Sequence, residues 1–364
     1  MKNTELHNAK KNKADEFYTR YNDISDELQF YTDEFKDKVV YCNCDNPYES
    51  NFFMYFALNF NYLGLKKLIA TSYVTSPIIY TQLTLEELMD SHKTEINRDE
   101  LLKRVNENEK PPYKIEINEI IENPEGGYYI PEVENLVKNK KNVLTWLKGD
   151  GDFRSEECKK ILQEADIVVT NPPFSLFIEY IAQLIEFNKK FIVIGNTNAL
   201  TYKETFKLIK ENKLRTGYTN FNVGMYFFVP DYYEKYHKIE EGRKMVRVAS
   251  TCWFTNLDVK RHHELLYSYK QYTPEAFPHY DNYDAIEVSK VVEIPEDWEG
   301  IIGVPITFFD KYNPTQFEII GLAASAGYDP DVVGIEKKQG FKDARPNIKG
   351  KVTYARVFIK RIGG

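Results

Sequence analysis

Asn171-Pro172-Pro173-Phe174 is the stretch of this chain best suited to chemistry, because it stands directly behind the apolar run 166–170. Such a run reads as a buried strand. Open α/β sheets carry their ligands at the carboxyl ends of strands. Two consecutive prolines remove two backbone donors and restrict φ, so the turn is stiff and can hold acceptors in place. Those acceptors are the side-chain oxygen of Asn171 and the carbonyl of Pro172, with Phe174 as a stacking surface. The set suits an aromatic amino group, a poor nucleophile whose lone pair is delocalised into its ring. Two acceptors on its N–H bonds favour the pyramidal, nucleophilic form, and positioning and electrostatics then supply much of the rate. The plain alternative is a simple turn, since Asn-Pro is a common turn starter. The position behind a strand, inside a repeated α/β pattern, favours function.

The elements that must hold the tetrad can be read from periodicity. Residues 38–43 form the first clear strand, ending in the turn signal Asp45-Asn46-Pro47. An apolar-aromatic helix over about 48–61 stops near Gly64, and 65–71 read as a second strand. A strand–helix–strand unit of this kind builds a parallel sheet. Residues 75–142 read as an insertion that fits a hairpin on a sheet edge. It holds a charged helical stretch over about 84–108, a strand-like 113–117 and a turn at 123–127. The rhythm resumes with strand 142–147, helix 155–164, strand 166–170, helix 175–188, strand 191–195 and helix 202–212. The strand-like pieces 215–218 and 225–229 fit an antiparallel hairpin. After Pro230 the chain turns polar-aromatic and irregular, which places the expected domains at 1–230 and 231–364.

Composition bounds the partners. The 364 residues are 42% hydrophobic and 28% charged, an ordinary globular mixture long enough for one large domain or two ordinary ones. The 27 Tyr and 23 Phe serve either as stacking surfaces or as half-buried core. A net charge of −7 argues by itself against a nucleic-acid partner, but a basic patch on an acidic body still binds phosphate. Such a patch exists: between Gly334 and Gly364 nine residues are basic and two acidic. Among them Lys337, Lys338, Arg345, Lys349, Lys351 and Arg356 are candidate DNA contacts, the competing reading being a solvated face. A second cluster comprises Arg243, Lys244, Arg247, Lys260, Arg261, His262 and His263. No metal is expected at the histidines, which lack a carboxylate at helical ligand spacing. Cys42 and Cys44 read as strand residues rather than zinc ligands. Four cysteines, no leader-like apolar core and no apolar run of ~18 residues fit a cytoplasmic protein without a membrane span.

The tetrad does not stand alone. Together with Asp15-Glu-Phe-Tyr-Thr19, Val39-Val-Tyr-Cys-Asn-Cys-Asp45, Gly149-Asp-Gly-Asp-Phe-Arg-Ser155 and Gly303-Val-Pro-Ile-Thr-Phe-Phe-Asp-Lys-Tyr-Asn-Pro314, it resembles the EcoRI-type adenine-specific DNA methyltransferases. The resemblance runs from about residue 12 to the C-terminus. The tetrad alone is shared by many amino-group methyltransferases; the ordered set of segments is more specific. The resemblance implies an α/β, Rossmann-like S-adenosylmethionine-dependent methyltransferase fold with an added C-terminal target-recognition region. It implies N6 methylation of an adenine flipped out of double-stranded DNA, by a monomer. That monomer belongs to a restriction-modification system, with a cognate endonuclease acting on the same site, or works as a solitary enzyme.

In that family Phe17, Tyr18 and Thr19 would lie against S-adenosylmethionine, and Cys44, Asp45 and Asn46 would face its methionine part. Asp152 and Phe153 would contact its adenine. Asn171, Pro172, Pro173 and Phe174 are the catalytic set. The loop 42–47 has no glycine, an oddity that the EcoRI-type family shares, and no acid follows the second strand to bind a ribose. Ser72, Asp45 or the insertion are the substitutes. Plainer roles stay open as well: Tyr18 packing on the core, and Asp45 and Asp152 capping helices near Pro47 and Ser155. Two other functions remain, an RNA base amino-methyltransferase and a DNA-binding protein with a decayed methyltransferase fold. Fold analogy does not separate them.

Overall fold

A computed structural model describes residues 17–44, 47, 50–72, 112–121, 141–229, 231 and 233–362. The chain sorts into two compact units, the residues up to Gly195 with Val223–Thr251, and Asn196–Asn222 with Cys252–Gly364.

The first unit opens with β1 (Tyr18–Thr19) and α1 (Tyr21–Leu28) and then alternates. Its elements are β2 (Val39–Cys42), α2 (Asn51–Leu58), β3 (Lys67–Thr71), β4 (Tyr113–Ile117), β5 (Val143–Trp146), α3 (Glu156–Glu164), β6 (Ile167–Thr170), α4 (Phe177–Glu186) and β7 (Lys190–Asn196). β2 and β6 are buried at every position. Strands buried on both faces need apolar residues on both, which is why they read as unbroken apolar runs. The six strands are ordered β5-β4-β3-β2-β6-β7. β3, β2, β6 and β7 are parallel, with Val40 opposite Leu68 and Ile167, and Val168 opposite Phe191. The Asp166 carboxylate adds a tie by accepting from Val39 N at 2.8 Å. β4 and β5 extend the sheet antiparallel on the β3 side. The architecture is therefore α/β around a mixed sheet. Serines start the helices: Ser50 accepts from Phe53 N and Ser155 from Cys158 N, each satisfying an orphan donor. The cap suggested for Asp152 is thus filled by Ser155, while Asp45 lies outside the described residues.

The edge departs from the sequence reading. Residues 142–147 looked like the return of the α/β rhythm, but β5 is the outer partner of β4. Asn142 gives the reason: its amide oxygen accepts from Asn118 N at 2.8 Å and its amide nitrogen donates to Glu119 O at 3.0 Å. Strand β4 thereby turns back onto β5. The stretch 84–108 and the turn 123–127 lie outside the described residues.

After α5 (Lys203–Lys210) and β8 (Arg215–Thr216), both in the second unit, the chain returns to the first with β9 (Met225–Phe228), β10 (Lys238–Glu240) and β11 (Arg243–Val248). These join β1 in an antiparallel sheet, β1-β9-β11-β10. The hairpin expected from 215–218 and 225–229 does not form. The intervening chain turns on Asn220, Asn222 and Gly224, all at positive φ. β8 pairs instead with β12 (Thr251–Thr255), while β9 pairs with β1 and β11. The compact units consequently interleave along the sequence.

The second unit continues with β13 (Ile286–Glu287), β14 (Ile302–Val304), β15 (Phe317–Ala323), α6 (Pro330–Val333), the hairpin strands β16 (Asn347–Ile348) and β17 (Lys351–Val352), and β18 (Arg356–Arg361). Its main sheet runs β13-β14-β18-β15. Arg356 lies inside it. The guanidinium grips Glu287 twice, Nη2 to Oε1 at 2.6 Å and Nε to Oε2 at 2.9 Å. Tyr280 donates its hydroxyl to the same carboxylate. Gly303 is required there, since a Cβ would fall 2.2 Å from that hydroxyl oxygen. Arg356, expected at a DNA surface, is therefore a structural residue, drawn in because β18 is a central strand and Glu287 needs a counter-charge. Elsewhere in this unit His262 is buried, with no partner on either ring nitrogen among the described residues. Burial, helped by Arg215 and Arg261, holds its pKa down at about 3. His263 is exposed and meets Asp258 at 2.9 Å.

Removing half of a buried pair strands the other charge, so Arg356→Ala is expected to lower unfolding free energy by about 3–5 kcal/mol, read by urea denaturation. A loss well under 1 kcal/mol would mean that Glu287 is not left uncompensated. His262 carries a depressed folded-state pKa of about 3 against an ordinary 6.5, so the unfolded chain takes up the proton first as pH falls. The stability tied to its neutral form is complete above about pH 6.5 and drains away toward pH 3. His262→Leu should therefore flatten the acid limb of stability between about pH 6.5 and 4; parallel limbs in the two proteins would clear His262 as a cause.

Candidate active site

Strand order reverses at β2: the chain steps to β3 on one side and later returns to β6 on the other. Ligands of open α/β sheets bind at such a switch point, outside the carboxyl ends of the strands. The segments leaving β2 and β6 there are tied together. Thr170, the last residue of β6, donates its hydroxyl to the carbonyl of Asn43, the residue after β2. Tyr180 of α4 donates to Asn43 Oδ1 at 2.5 Å. Burial raises the Tyr180 hydroxyl well above the usual phenol range, so it remains a donor. Cys44 follows in the left-handed conformation, φ 70°. Of Cys42 and Cys44, only Cys42 is a buried strand residue, because this turn ends the strand before Cys44. Asp45 and Asn46 lie outside the described residues.

Asn171 is 7% exposed. Its amide nitrogen donates to the Phe17 carbonyl at 2.7 Å. A carbonyl only accepts, so the nitrogen must face it and the oxygen must face away. That oxygen is buried and has no partner among the described residues. An unpaired buried acceptor costs about 1–3 kcal/mol, a cost that a ligand donor removes. Pro173 closes the turn by accepting from Leu176 N at 2.9 Å. The Phe174 ring lies 6.0 Å from Phe17, with planes 30° apart, and 6.2 Å from the edge-on Phe227. Phe17 is 5.7 Å from Phe227 and 6.4 Å from Tyr233. Sequence reasoning missed Phe227 and Tyr233. Phe227 arrives only because β9 pairs with β1, opposite Thr19, and nothing local announces that. Tyr233 belongs to the polar-aromatic stretch after Pro230, which was visible as composition and not as a site.

The alternation of β1 separates its residues. Tyr18 turns to the face where its ring is buried with Phe228 and Met245, the plain packing role. Phe17 and Thr19 turn to the opposite face. Thr19 Oγ1 is a second buried polar atom with no partner among the described residues. Phe153 packs edge-on against Tyr180 at 4.9 Å, so one tyrosine braces both the 149–155 segment and Asn43. Asp152 is gripped by Arg154, Nη2 to Oδ2 at 2.6 Å, and this holds its carboxyl below the usual range. Gly151 sits at φ 79°, and a Cβ there would fall 2.2 Å from the Ser72 carbonyl. That close approach brings Asp152 beside the end of β3. Ser72 itself is engaged by Tyr113, whose backbone nitrogen donates to its hydroxyl at 2.9 Å.

The basic residues divide sharply. Lys337 lies over the Tyr328 ring and donates to Phe341 O at 2.8 Å. Arg345 holds Asp343 at 2.6 Å, and Arg356 is enclosed. Lys338, Lys349 and Lys351 are exposed. Lys349 and Gly350 make the two-residue turn of the β16–β17 hairpin, both at positive φ, the form whose twist matches the flanking strands. Turn and base are both held, Gly350 N donating to Asp281 and Asn347 N to Asn282. The second basic cluster is largely engaged within the protein. Arg243 lies over Phe228 at 4.3 Å, Lys244 donates to the Asp231 and Tyr233 carbonyls, and Arg247 donates to Val223 O. Among the described residues no group of three or more His, Cys, Asp or Glu could hold a metal. No helix among them is long and apolar enough to cross a membrane.

Comparison with known proteins agrees with this chemistry. The family described as "Adenine-specific methyltransferase EcoRI" matches residues 5–362. The chain is 43% identical to the type II methyltransferase M.EcoRI of Escherichia coli, over 98% of this chain and 95% of the relative. It is 36% identical to M.MpnI of Mycoplasma pneumoniae and 35% to M.MgeORF184P of Mycoplasma genitalium, each a type II methyltransferase, over 97% of both chains in each case. No solved structure matches it. With its tetrad at the switch point and the family's pattern running nearly end to end, the chain belongs to the EcoRI family of adenine-specific methyltransferases.

Proposed function

We propose that the pocket beside Asn171 takes an adenine flipped out of double-stranded DNA and presents its N6 amino group for methylation. The protein is an adenine-specific DNA methyltransferase of its family, and its type II relatives suit a role beside a restriction endonuclease. One observation carries the reading of the site. Asn171 Oδ1 is a buried acceptor held open, because the other end of the amide is anchored on Phe17. Pro173 uses its carbonyl to close the turn, so the second acceptor falls to Pro172. Asn171 is neutral and grips the N–H bonds without taking a proton away, which leaves the nitrogen lone pair pointing outward. Phe174 stacks on the base. Flipping costs a few kcal/mol of unstacking, which contacts in the pocket must offset.

The residues at the switch point fit S-adenosylmethionine. Two buried polar atoms without partners among the described residues, Thr19 Oγ1 and Asn171 Oδ1, stand beside β1 and β6, and a Rossmann-like methyltransferase sheet binds its cofactor at that end. Thr19, Cys44, Asp45 and Asn46 would hold the methionine part, Asp152 and Phe153 the adenine, with Phe17 and Tyr18 shaping β1 around it. When bound, the cofactor supplies the methyl group as a sulfonium electrophile. Target recognition is assigned to the region after Pro230. Its phosphate contacts are Lys338, Lys349 and Lys351, which remain exposed once Arg356 is set aside, with Lys337 and Arg345 held on internal partners beside them.

Unmethylated genomic DNA incubated with the protein and S-adenosylmethionine, then digested to nucleosides, should yield N6-methyladenine by mass spectrometry. Asn171→Ala should cut that yield per unit time by about 100-fold or more while cofactor binding persists, the range seen when one preorganised polar group is lost. A near-normal rate would remove Asn171 as acceptor, and unmodified DNA with cofactor bound would shift the substrate to RNA. Changing Lys338, Lys349 and Lys351 together to Gln should reduce the slope of log K against log salt by about 3. An unchanged slope would take these three lysines off the DNA.

A further inference from the structure

Phe17 acts on the site twice. Its carbonyl receives Asn171 Nδ2 at 2.7 Å, and its ring lies over Phe174 at 6.0 Å with the planes 30° apart. The family resemblance set Phe17 against the cofactor; the geometry sets its ring against the one aromatic residue of the tetrad. Both rings are backed rather than left on loose loops. Phe227, fully buried in β9, stands behind the pair at 5.7 and 6.2 Å. Tyr233 flanks Phe17 at 6.4 Å, its carbonyl held by Lys244 at 3.0 Å.

A purine is a flat aromatic plate. Between two rings it needs about 7 Å, twice a carbon–carbon contact of ~3.5 Å. Phe17 and Phe174 are too close for that and stack on one another instead. For a base to enter alongside the open Oδ1 of Asn171, the two rings must part and swing toward parallel until their faces stand about 7 Å apart. The same residue that fixes the acceptor would then fix the plane of the base, so the amino group and its acceptor stay in register.

We propose that Phe17 is the second wall of the base slot, with the flipped adenine stacked between Phe174 and Phe17. This rests on the flipped-adenine reading above. It gives the residue a substrate role rather than a cofactor role, with Phe227 and Tyr233 as the positioning residues that keep its ring in place.

The test uses the whole enzyme and a duplex whose target adenine, located by sequencing DNA the enzyme has methylated, is replaced by 2-aminopurine. That base brightens when it leaves the stack and dims again when aromatic rings close on it. Phe17→Leu removes the ring and keeps the carbonyl; Phe17→Tyr keeps both. The Leu variant should show a brighter flipped probe than wild type and a single-turnover methylation rate of normal DNA lowered about tenfold or more at saturating S-adenosylmethionine. Its affinity for S-adenosylhomocysteine should stay within about threefold of wild type. The Tyr variant should behave as wild type in all three. A Leu variant that binds S-adenosylhomocysteine about tenfold more weakly, yet methylates at the wild-type rate once saturated, makes Phe17 a cofactor wall and overturns the proposal. If neither the wild type nor the Leu variant brightens the probe, although the wild type methylates normal DNA, the flipped-base reading itself fails, whatever Phe17 does.

Discussion

An amide side chain has a donor end and an acceptor end, and the hydrogen bond from Asn171 to the carbonyl of Phe17 decides which end is left for a ligand. The bond joins residues 154 positions apart, so it exists only if β1 is held where β6 ends. Several contacts hold it. β1 pairs with β9, and Asn51 at the start of α2 donates to the Thr19 carbonyl at 2.7 Å. Tyr18 is locked into the cluster with Phe228 and Met245. With β1 loose, the amide would be free to turn, and its acceptor would no longer face one direction.

The same economy of buried polar groups recurs around the site. Asn43, Thr170 and Tyr180 satisfy one another at the ends of the two strands that flank the switch point. Groups that satisfy one another away from water are rigid, because each alternative position leaves an unpaired donor or acceptor. Catalytic geometry depends on such support, since a small misplacement of a reacting group costs rate steeply. In the second unit Arg356, Glu287 and Tyr280 follow the same rule with full charges. There the benefit is to the fold, and the pair demands a glycine at 303 to fit the tyrosine ring.

Charge illustrates why counting residues does not locate a surface. The chain carries a net −7, yet its basic residues are not uniformly available. Arg243, Lys244, Arg247, Arg345 and Arg356 are all engaged by rings, carbonyls or carboxylates of the protein itself. A long cationic side chain can reach inward as easily as outward. Lys349 and Lys351, by contrast, stay exposed within two residues of each other on a short hairpin with a tight turn.

The alternation of strands and helices, the buried character of β2 and β6, the beginning of α3 near Ser155 and the placing of Asn171 at a strand end were all legible in the sequence. Each depends on neighbours a few positions apart, and periodicity reports those. The family was legible too, because it rests on short segments in fixed order. Partner choice is different, because it depends on residues that sequence distance does not relate. β5 closes the sheet edge through Asn142, β8 and β9 part company across positive-φ turns, and Arg356 goes inside because Glu287 is there. Phe227 reaches the turn 171–174 through a pairing between strands more than two hundred residues apart. The sequence by itself determined the family, the turn Asn171–Phe174 behind a buried strand, and the alternation of strands and helices around it. Only the tertiary structure decided which carbonyl orients Asn171, which rings adjoin Phe174 and which cations remain at the surface, because burial and hydrogen-bond satisfaction are properties of the assembled chain.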